Sequence, residues 1–365
     1  MIDINILKTE EKAVFSLRTL YSKYGYLPFK MSKFEEYELY MRNKDFLVSD
    51  RIISFNDTNG KLLALKPDVT LSIIKNGEDA LNTKQKVYYD ENVYRVSENT
   101  NQFKEIMQTG LECIGDIDLY DIYEVLSLAA KSLSLISDEF FIEVSHLGIL
   151  SDILDSISGD RRFKENALKL ISQKNAHDLK RLCDSFAVNE SDAELLCSLV
   201  SVYGERNSVI SKLNELLKGR NCPALSELEA ISQMIEKNAE SDRIIFDFSV
   251  VSDMNYYNGI VFKGFVNGIS ESVLKGGQYD NLMRKFKRNS KAIGFAIYLD
   301  LLERLNDSKN GVDVDIVLLY NDKVSEKSVC ERVCALINEG KTVSAEKSIP
   351  ERLKFKEIID LREEN

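Results

Sequence analysis

Polar side chains alternating along an otherwise apolar stretch give the first sign of chemistry in this chain. Ile106-Met107-Gln108-Thr109-Gly110-Leu111-Glu112-Cys113 reads as a strand. Its two-residue repeat puts Gln108, Gly110 and Glu112 on one face and Met107, Thr109, Leu111 and Cys113 on the other. The second face suits a core. The first places an amide and a carboxylate on either side of a residue without a side chain, which weakens a strand but leaves room against the backbone, as the floor of a small-ligand site requires. The plainer reading is a half-exposed strand whose polar face meets water, and other segments must decide between the two.

Four such segments carry reactive groups. The tyrosine-rich run 85–95 ends in Arg95 and is followed by a polar loop. This predicts a hairpin that carries a cation toward whatever lies over Gly110, although an arginine there also fits a surface ion pair of little energetic worth. In Lys66-Pro67-Asp68-Val69-Thr70, Pro67 ends a strand and Asp68 or Thr70 caps the following helix, and capping alone suffices to explain Asp68. Tyr256-Tyr257, read within a strand over 256–262, offers one ring to each face, so that one hydroxyl reaches a ligand while the other ring packs. Gly276-Gly277 either brings backbone amides close to a ligand or makes a turn.

Composition removes several function classes. At 365 residues, of which 44% are hydrophobic, the chain can bury a full core and divides into two or three units. A net charge of -11 and a pI near 5.0 argue against a broad nucleic-acid surface, which needs clustered Lys and Arg. The six cysteines include no Cys-x-x-Cys pair, and the only histidines, His146 and His177, lie far apart. Neither a metal site nor a disulfide framework is expected, and no cofactor. Without an apolar run long enough for a bilayer or a secretion-signal layout, the chain reads as cytoplasmic and reduced.

These groups need elements to hold them. Val14, Leu17, Leu20 and Tyr21 recur at helical spacing over 10–24, and Gly25 supplies the stop; residues 25–36 read as irregular. Runs 51–55 and 61–65 flank a loop containing Asn59-Gly60 and predict a hairpin. A helix over 118–135 precedes a strand over 140–144, with His146 as a structural histidine just beyond. From 147 to 239 the pattern is continuously helical, without identifiable chemistry, and suits covering a face or binding a partner. Strand character returns over 244–251 and 256–262. Residues 292–302 read as a buried strand or helix leading into an amphipathic helix. After Asn310 come a strand over 314–319, a helix over 326–337, a short strand over 342–345 and a charged tail. Cys330 and Cys334, one helical turn apart, suit packing rather than metal.

The order of these segments resembles the catalytic core of class II histidyl-tRNA synthetases. Leu65-Lys66-Pro67-Asp68-Val69-Thr70, Arg95, Gln108-Thr109-Gly110-Leu111-Glu112, Tyr256-Tyr257, Gly276-Gly277-Gln278-Tyr279-Asp280-Asn281-Leu282 and Ala292-Ile293-Gly294-Phe295 follow in order between about Glu10 and Arg304. The resemblance implies an α+β fold: a class II synthetase-like antiparallel sheet flanked by helices over residues 1–308, with a helical insert at about 147–240. Residues 309–365 would form a small C-terminal α/β unit, a degenerate anticodon-binding-like remnant. It further implies a histidine-like pocket formed by Asp68 (usually Glu in a synthetase), Thr70, Gln108, Glu112, Tyr256 and Tyr257, with carboxylates holding an amino group and an imidazole. Arg95 corresponds to the arginine that meets the substrate carboxylate and the ATP phosphate.

The departures from that pattern include the loss of two arginines. The synthetases carry Arg-Gly-Leu-Asp-Tyr-Tyr where this chain has Ser252-Asp253-Met254-Asn255-Tyr256-Tyr257, and the arginine of their third motif falls on Leu301. The proline of the first motif is replaced by Ser32, and the Arg-x-Glu of the second reads Arg95-Val96-Ser97. Adenylate formation builds negative charge on phosphate, which fixed cations stabilise, so no catalytic residue is expected here. A chain that keeps the amino-acid pocket and lacks these arginines is similar to the regulatory subunits of ATP phosphoribosyltransferase. These paralogues assemble with a short catalytic subunit in the first step of histidine biosynthesis. The resemblance implies activation of that subunit, histidine feedback, a homodimeric core within a hetero-oligomer, and no tRNA or membrane partner. The C-terminal unit departs from the shorter members of that family. The alternatives are a divergent histidyl-tRNA synthetase and a free-standing histidine-sensing scaffold.

Overall fold

Alternating burial and well-placed helix caps account for most of the elements in the computed structural model, which describes residues 7–44, 51–77, 83–97, 100–251, 256–305 and 312–363. The chain divides into Met1–Leu305 and Asn306–Asn365; the boundary expected near residue 308 lies outside the described residues.

Helix α1 (Thr9–Lys23) buries Ala13, Val14, Leu17 and Tyr21 and stops at Gly25, whose φ of 81° is one that residues with a Cβ rarely adopt. Residues 25–36, expected to be irregular, instead contribute β1 (Leu27–Pro28) and β2 (Phe34–Glu36). Both are short edge strands, where a proline is tolerated and periodicity is too brief to detect. After α2 (Tyr37–Arg42), β3 (Ser54–Asn56) and β4 (Leu62–Leu65) form the predicted hairpin across Gly60 and join β2 in a small sheet ordered β2-β4-β3.

Helix α3 (Thr70–Asn76) leads to the long hairpin of β5 (Lys84–Val96) and β6 (Phe103–Gly115). Helix α4 (Leu119–Ser134) starts where the Asp118 carboxylate accepts from the Tyr120 and Asp121 amides, and β7 (Phe140–His146) follows. The insert then runs α5 (Leu147–Ile157), α6 (Arg161–Ser172), α7 (Ala176–Ser185), α8 (Glu190–Leu199), β8 (Tyr203–Gly204), α9 (Arg206–Leu216) and α10 (Pro223–Ile235). Its helices open on side-chain caps such as Asp160, Asn175 and Asn189. It is not purely helical, because β8 returns to the large sheet beside the next strand, β9 (Ile244–Asp247). Then come β10 (Ile260–Val266), β11 (Leu274–Gln278), α11 (Asp280–Lys285) and β12 (Lys291–Tyr298).

The large sheet has nine strands in the order β1-β5-β6-β12-β11-β10-β7-β9-β8. Its centre is antiparallel, with parallel pairs only at β1·β5 and β7·β9, so the fold is α+β. One face packs on α1, α4 and the insert through a continuous apolar core that includes Leu17, Leu111, Cys113, Leu128 and Phe246. The other face carries the polar residues of β6.

Several predicted strands differ in extent. The strand at 244 stops at Asp247, and the next begins at Ile260 rather than Tyr256. The Ile260 amide donates to Gln278 Oε1 (2.6 Å) and the Asn258 amide to the Gln278 carbonyl (3.1 Å), so the tyrosine pair lies in the loop before the strand. Gly276 and Gly277 are strand interior, not a turn. Residues after Tyr298 form 3-10 turns rather than an amphipathic α-helix.

The second unit comprises β13 (Val314–Leu319), α12 (Glu326–Asn338), β14 (Val343–Glu346) and β15 (Phe355–Asp360), in a parallel sheet ordered β14-β13-β15. The expected charged tail is thus a third strand, half-exposed, and its charged residues mask its periodicity. Cys330 and Cys334 are exposed, and it is Leu336 that α12 buries.

Candidate functional site

Cross-strand register gathers the polar face of β6 into rows. Val87, Glu112, Gly294, Gly277 and Val261 form one row across five strands, and Tyr89, Gly110, Ala296, Lys275 and Lys263 form the next. The two glycines beside Glu112 make a trough that its neighbours fill. A Cβ at Gly294 would lie 1.7 Å from Glu112 Oε2, and one at Gly277 would lie 2.8 Å from the Tyr257 ring. The carboxyl therefore lies over one glycine and a tyrosine ring over the other.

Both Glu112 oxygens are engaged: Thr70 Oγ1 donates to Oε1 (2.9 Å) and the Tyr279 hydroxyl to Oε2 (2.6 Å). Burial nevertheless pushes the Glu112 carboxyl up to about 8, against the lowering effect of these two hydroxyls, and the nearby Asp68 adds to the rise. Asp68 is also raised by burial, opposed by the Leu71 amide and by Arg95. The expected capping role is present too, since Asp68 Oδ1 accepts from the Leu71 amide at the start of α3 (2.9 Å). Capping and pocket membership thus coincide in one side chain.

Arg95 is not a surface ion pair. Its Nε donates to the Pro67 carbonyl (3.0 Å), its charge acts on Asp68, and it hydrogen-bonds with Tyr298. Lys66 makes this approach possible. Its side chain is fully buried against Glu91 (2.9 Å), and its carbonyl accepts from the Tyr94 amide (2.8 Å), which clamps the β4–α3 connection onto the end of the hairpin. No local pattern marks Lys66 as a buried residue.

Gln108 is 3% exposed, and its Nε2 has no hydrogen-bond partner among the described residues. An unpaired buried donor costs about 1–3 kcal/mol, so this atom awaits an acceptor. The space expected over Gly110 is not free. Its partner Tyr89 fills it, with the hydroxyl 2.6 Å from where a Cβ would stand and the Phe295 carbonyl at 2.2 Å. Gly110 accommodates the protein's own tyrosine rather than a ligand.

Tyr256 and Tyr257 do not split between two faces. Their rings meet at 4.5 Å, Tyr256 also meets Tyr279 at 5.9 Å, and Tyr256 engages Thr70. Burial, with the acidic groups Asp68 and Glu112 nearby, raises both phenols. Asp68, Thr70, Tyr256 and Tyr257 therefore converge around Glu112, Arg95 borders them, and Gln108 stands on the same face opposite Tyr298. Tyr279 is the participant that residue-by-residue reading missed; its one signal was its place after Gly276-Gly277-Gln278. Among the positions that depart from the synthetase pattern, Leu301 packs against the core in place of an arginine, and the Ser32 hydroxyl, in place of a proline, accepts from the Phe34 amide (3.3 Å). Ser252 lies outside the described residues. Buried acids, hydroxyls and a vacant amide donor suit a small ligand with an amine and a polar ring.

Comparison with known proteins follows the same lines. A histidyl-tRNA synthetase family model matches residues 5–302. An ATP phosphoribosyltransferase regulatory subunit from Clostridium kluyveri is 30% identical over 339 residues, covering 89% of this chain and 85% of the relative. Among solved structures, an ATP phosphoribosyltransferase regulatory subunit/histidyl-tRNA synthetase from Bacillus halodurans aligns with a TM-score of 0.78 at 24% identity, covering 96% of this chain and 93% of that one. An ATP phosphoribosyl transferase (HisG:HisZ) complex from Thermotoga maritima aligns with a TM-score of 0.63 at 21% identity, covering 80% and 97%. At these identities the two structures establish the fold.

Proposed function

The chain belongs to the histidyl-tRNA synthetase family and, within it, to the ATP phosphoribosyltransferase regulatory subunits, and from that membership we propose that it activates a short catalytic subunit in the first step of L-histidine biosynthesis. The transfer chemistry then belongs to the partner, in the cytoplasm. L-Histidine is the effector: Glu112 and Asp68 hold its amine and imidazole with help from Thr70 and the tyrosines, Arg95 meets its carboxylate, and Gln108 Nε2 finds its acceptor there. The single observation behind this reading is the Glu112 cluster, an amine-accepting site in a fold whose third-motif position 301 carries a packed leucine instead of an arginine. Feedback requires that histidine favour one assembly state over another.

Reconstitution tests the reading. Mixed with a short catalytic subunit, the chain is expected to raise phosphoribosyltransferase activity well above that of the subunit alone, and histidine to suppress the gain. Histidine-dependent pyrophosphate exchange by the chain itself would favour the divergent synthetase instead. A lone dimer in extracts, with no catalytic subunit attached, would favour the free-standing scaffold.

The homodimeric core is part of the same proposal. Phe34 and Phe55 meet edge to face at 5.8 Å on one face of the small sheet and are 48% and 38% exposed, an apolar surface that a second copy would cover. Phe55→Glu is expected to shift the chain from dimer to monomer in light scattering, with its circular dichroism unchanged. A variant that stays dimeric rules this surface out.

A further inference from the structure

We propose that Lys263 and Lys275 form an anion subsite beside the amino-acid pocket, suited to the phosphate group of a small phosphorylated ligand. The two lysines are direct cross-strand partners on β10 and β11, on the sheet face that carries Glu112. Like charges directly opposed in an antiparallel pair, with Cβ atoms about 5 Å apart, destabilise a sheet. A bound anion reverses the sign of that interaction.

The protein neutralises the pair only through neighbouring acids, without a direct ion pair among the described residues. The acids around it are Glu143, opposite Lys263 on β7, and Glu271, which acts on Lys275. Neither lysine forms an ion pair with a carboxylate among the described residues. Burial and Asp247 raise the Glu143 carboxyl, Lys174 and Lys263 lower it, and its charge is shared between those two lysines. Lys275 is exposed on the strand, and its ammonium is pushed below the ordinary lysine range by partial desolvation, then by Lys263 and Arg95. The Tyr298 ring centroid lies 5.5 Å from that ammonium.

The surroundings leave room for a ligand. That room is not toward Glu112, where its carboxyl lies over Gly294 and the Tyr257 ring over Gly277. Beyond Lys263 the same face runs past Phe265, stacked on Phe141 at 5.0 Å, into an open groove of about 670 Å³. Two ammonium groups with three donors each match the two charges and several acceptor oxygens of a phosphate better than the single charge of a carboxylate.

This subsite goes beyond the histidine reading, and its test needs neither histidine nor the catalytic subunit. The full-length chain is titrated with inorganic pyrophosphate at constant ionic strength and followed by calorimetry and thermal melting. Binding at one site is expected, weakened tenfold or more in Lys263→Gln/Lys275→Gln. Lys263→Gln, which removes the repulsion without setting a carboxylate against Glu143, is expected to melt above the wild type without pyrophosphate and to lose the upward shift that pyrophosphate gives the wild type. Equal pyrophosphate affinity in the wild type and the double variant overturns the proposal. So does a wild-type shift no larger than sodium chloride produces at matched ionic strength.

Discussion

Glu112→Gln is expected to weaken histidine binding by roughly a hundredfold, the worth of a charge-assisted hydrogen bond in a dry site, and to flatten the pH dependence of both binding and stability. In the folded chain this carboxyl titrates near 8, against an ordinary value of 4.5. Between those values the folded chain keeps a proton that the unfolded chain has lost, so folding takes one up. The contribution to stability is therefore fully present below about 4.5 and is lost as pH rises through 8, by up to about 1.4 kcal/mol per pH unit, with no further change above.

An ammonium placed beside Glu112 draws the carboxyl back to its ionised form. Histidine binding is then expected to release a proton and to tighten as pH rises from 6 to 8. Calorimetry in buffers of different ionisation enthalpy measures that proton directly. Glu112→Gln should release none, and its urea stability should lose the downward slope whether or not histidine is present. An unchanged histidine affinity in this variant would empty the proposed pocket, while a lost slope with unchanged affinity would leave Glu112 as a buried acid without a ligand role.

Gly294→Ala is expected to cost about 3 kcal/mol of folding stability, the upper range for forcing atoms into a packed strand. The added Cβ would stand 1.7 Å from Glu112 Oε2 and 2.5 Å from the Leu111 carbonyl. The carboxyl can swing away only by giving up Thr70 and Tyr279, and the carbonyl belongs to a ladder that cannot yield. Urea denaturation should show a lowered midpoint with little change in slope, and surviving folded protein should bind histidine poorly. Gly159→Ala is the matched control: a Cβ there meets nothing within 4 Å, and no positive φ opposes it. Equal midpoints for the two variants would mean that β6 and β12 are not held in the register that seats Glu112.

Much of the architecture was legible because it follows from neighbours in the chain. Helical spacing, the stop at Gly25, the Asn59-Gly60 hairpin and the alternation of β6 all depend on residues a few positions apart, and these elements fold where their pattern places them. The Asp68 cap is equally local. The same locality explains the failures. β1, β2 and β15 are too short or too charged to show a period. Tyr256-Tyr257 reads as strand by composition, but Gln278, some twenty residues on, takes up the Ile260 amide and holds the pair in a loop.

By itself, the sequence determined the α+β elements, the family, and the acids, amide and tyrosines available for a site. Only the tertiary structure decided how they are used. It filled the space over Gly110 with Tyr89, brought Tyr279 across 167 positions to Glu112, buried Lys66, and set Lys263 against Lys275. The physical reason is that local propensity acts within a turn or a pleat, whereas strand register joins distant residues, and register is chosen by the packing of the whole sheet.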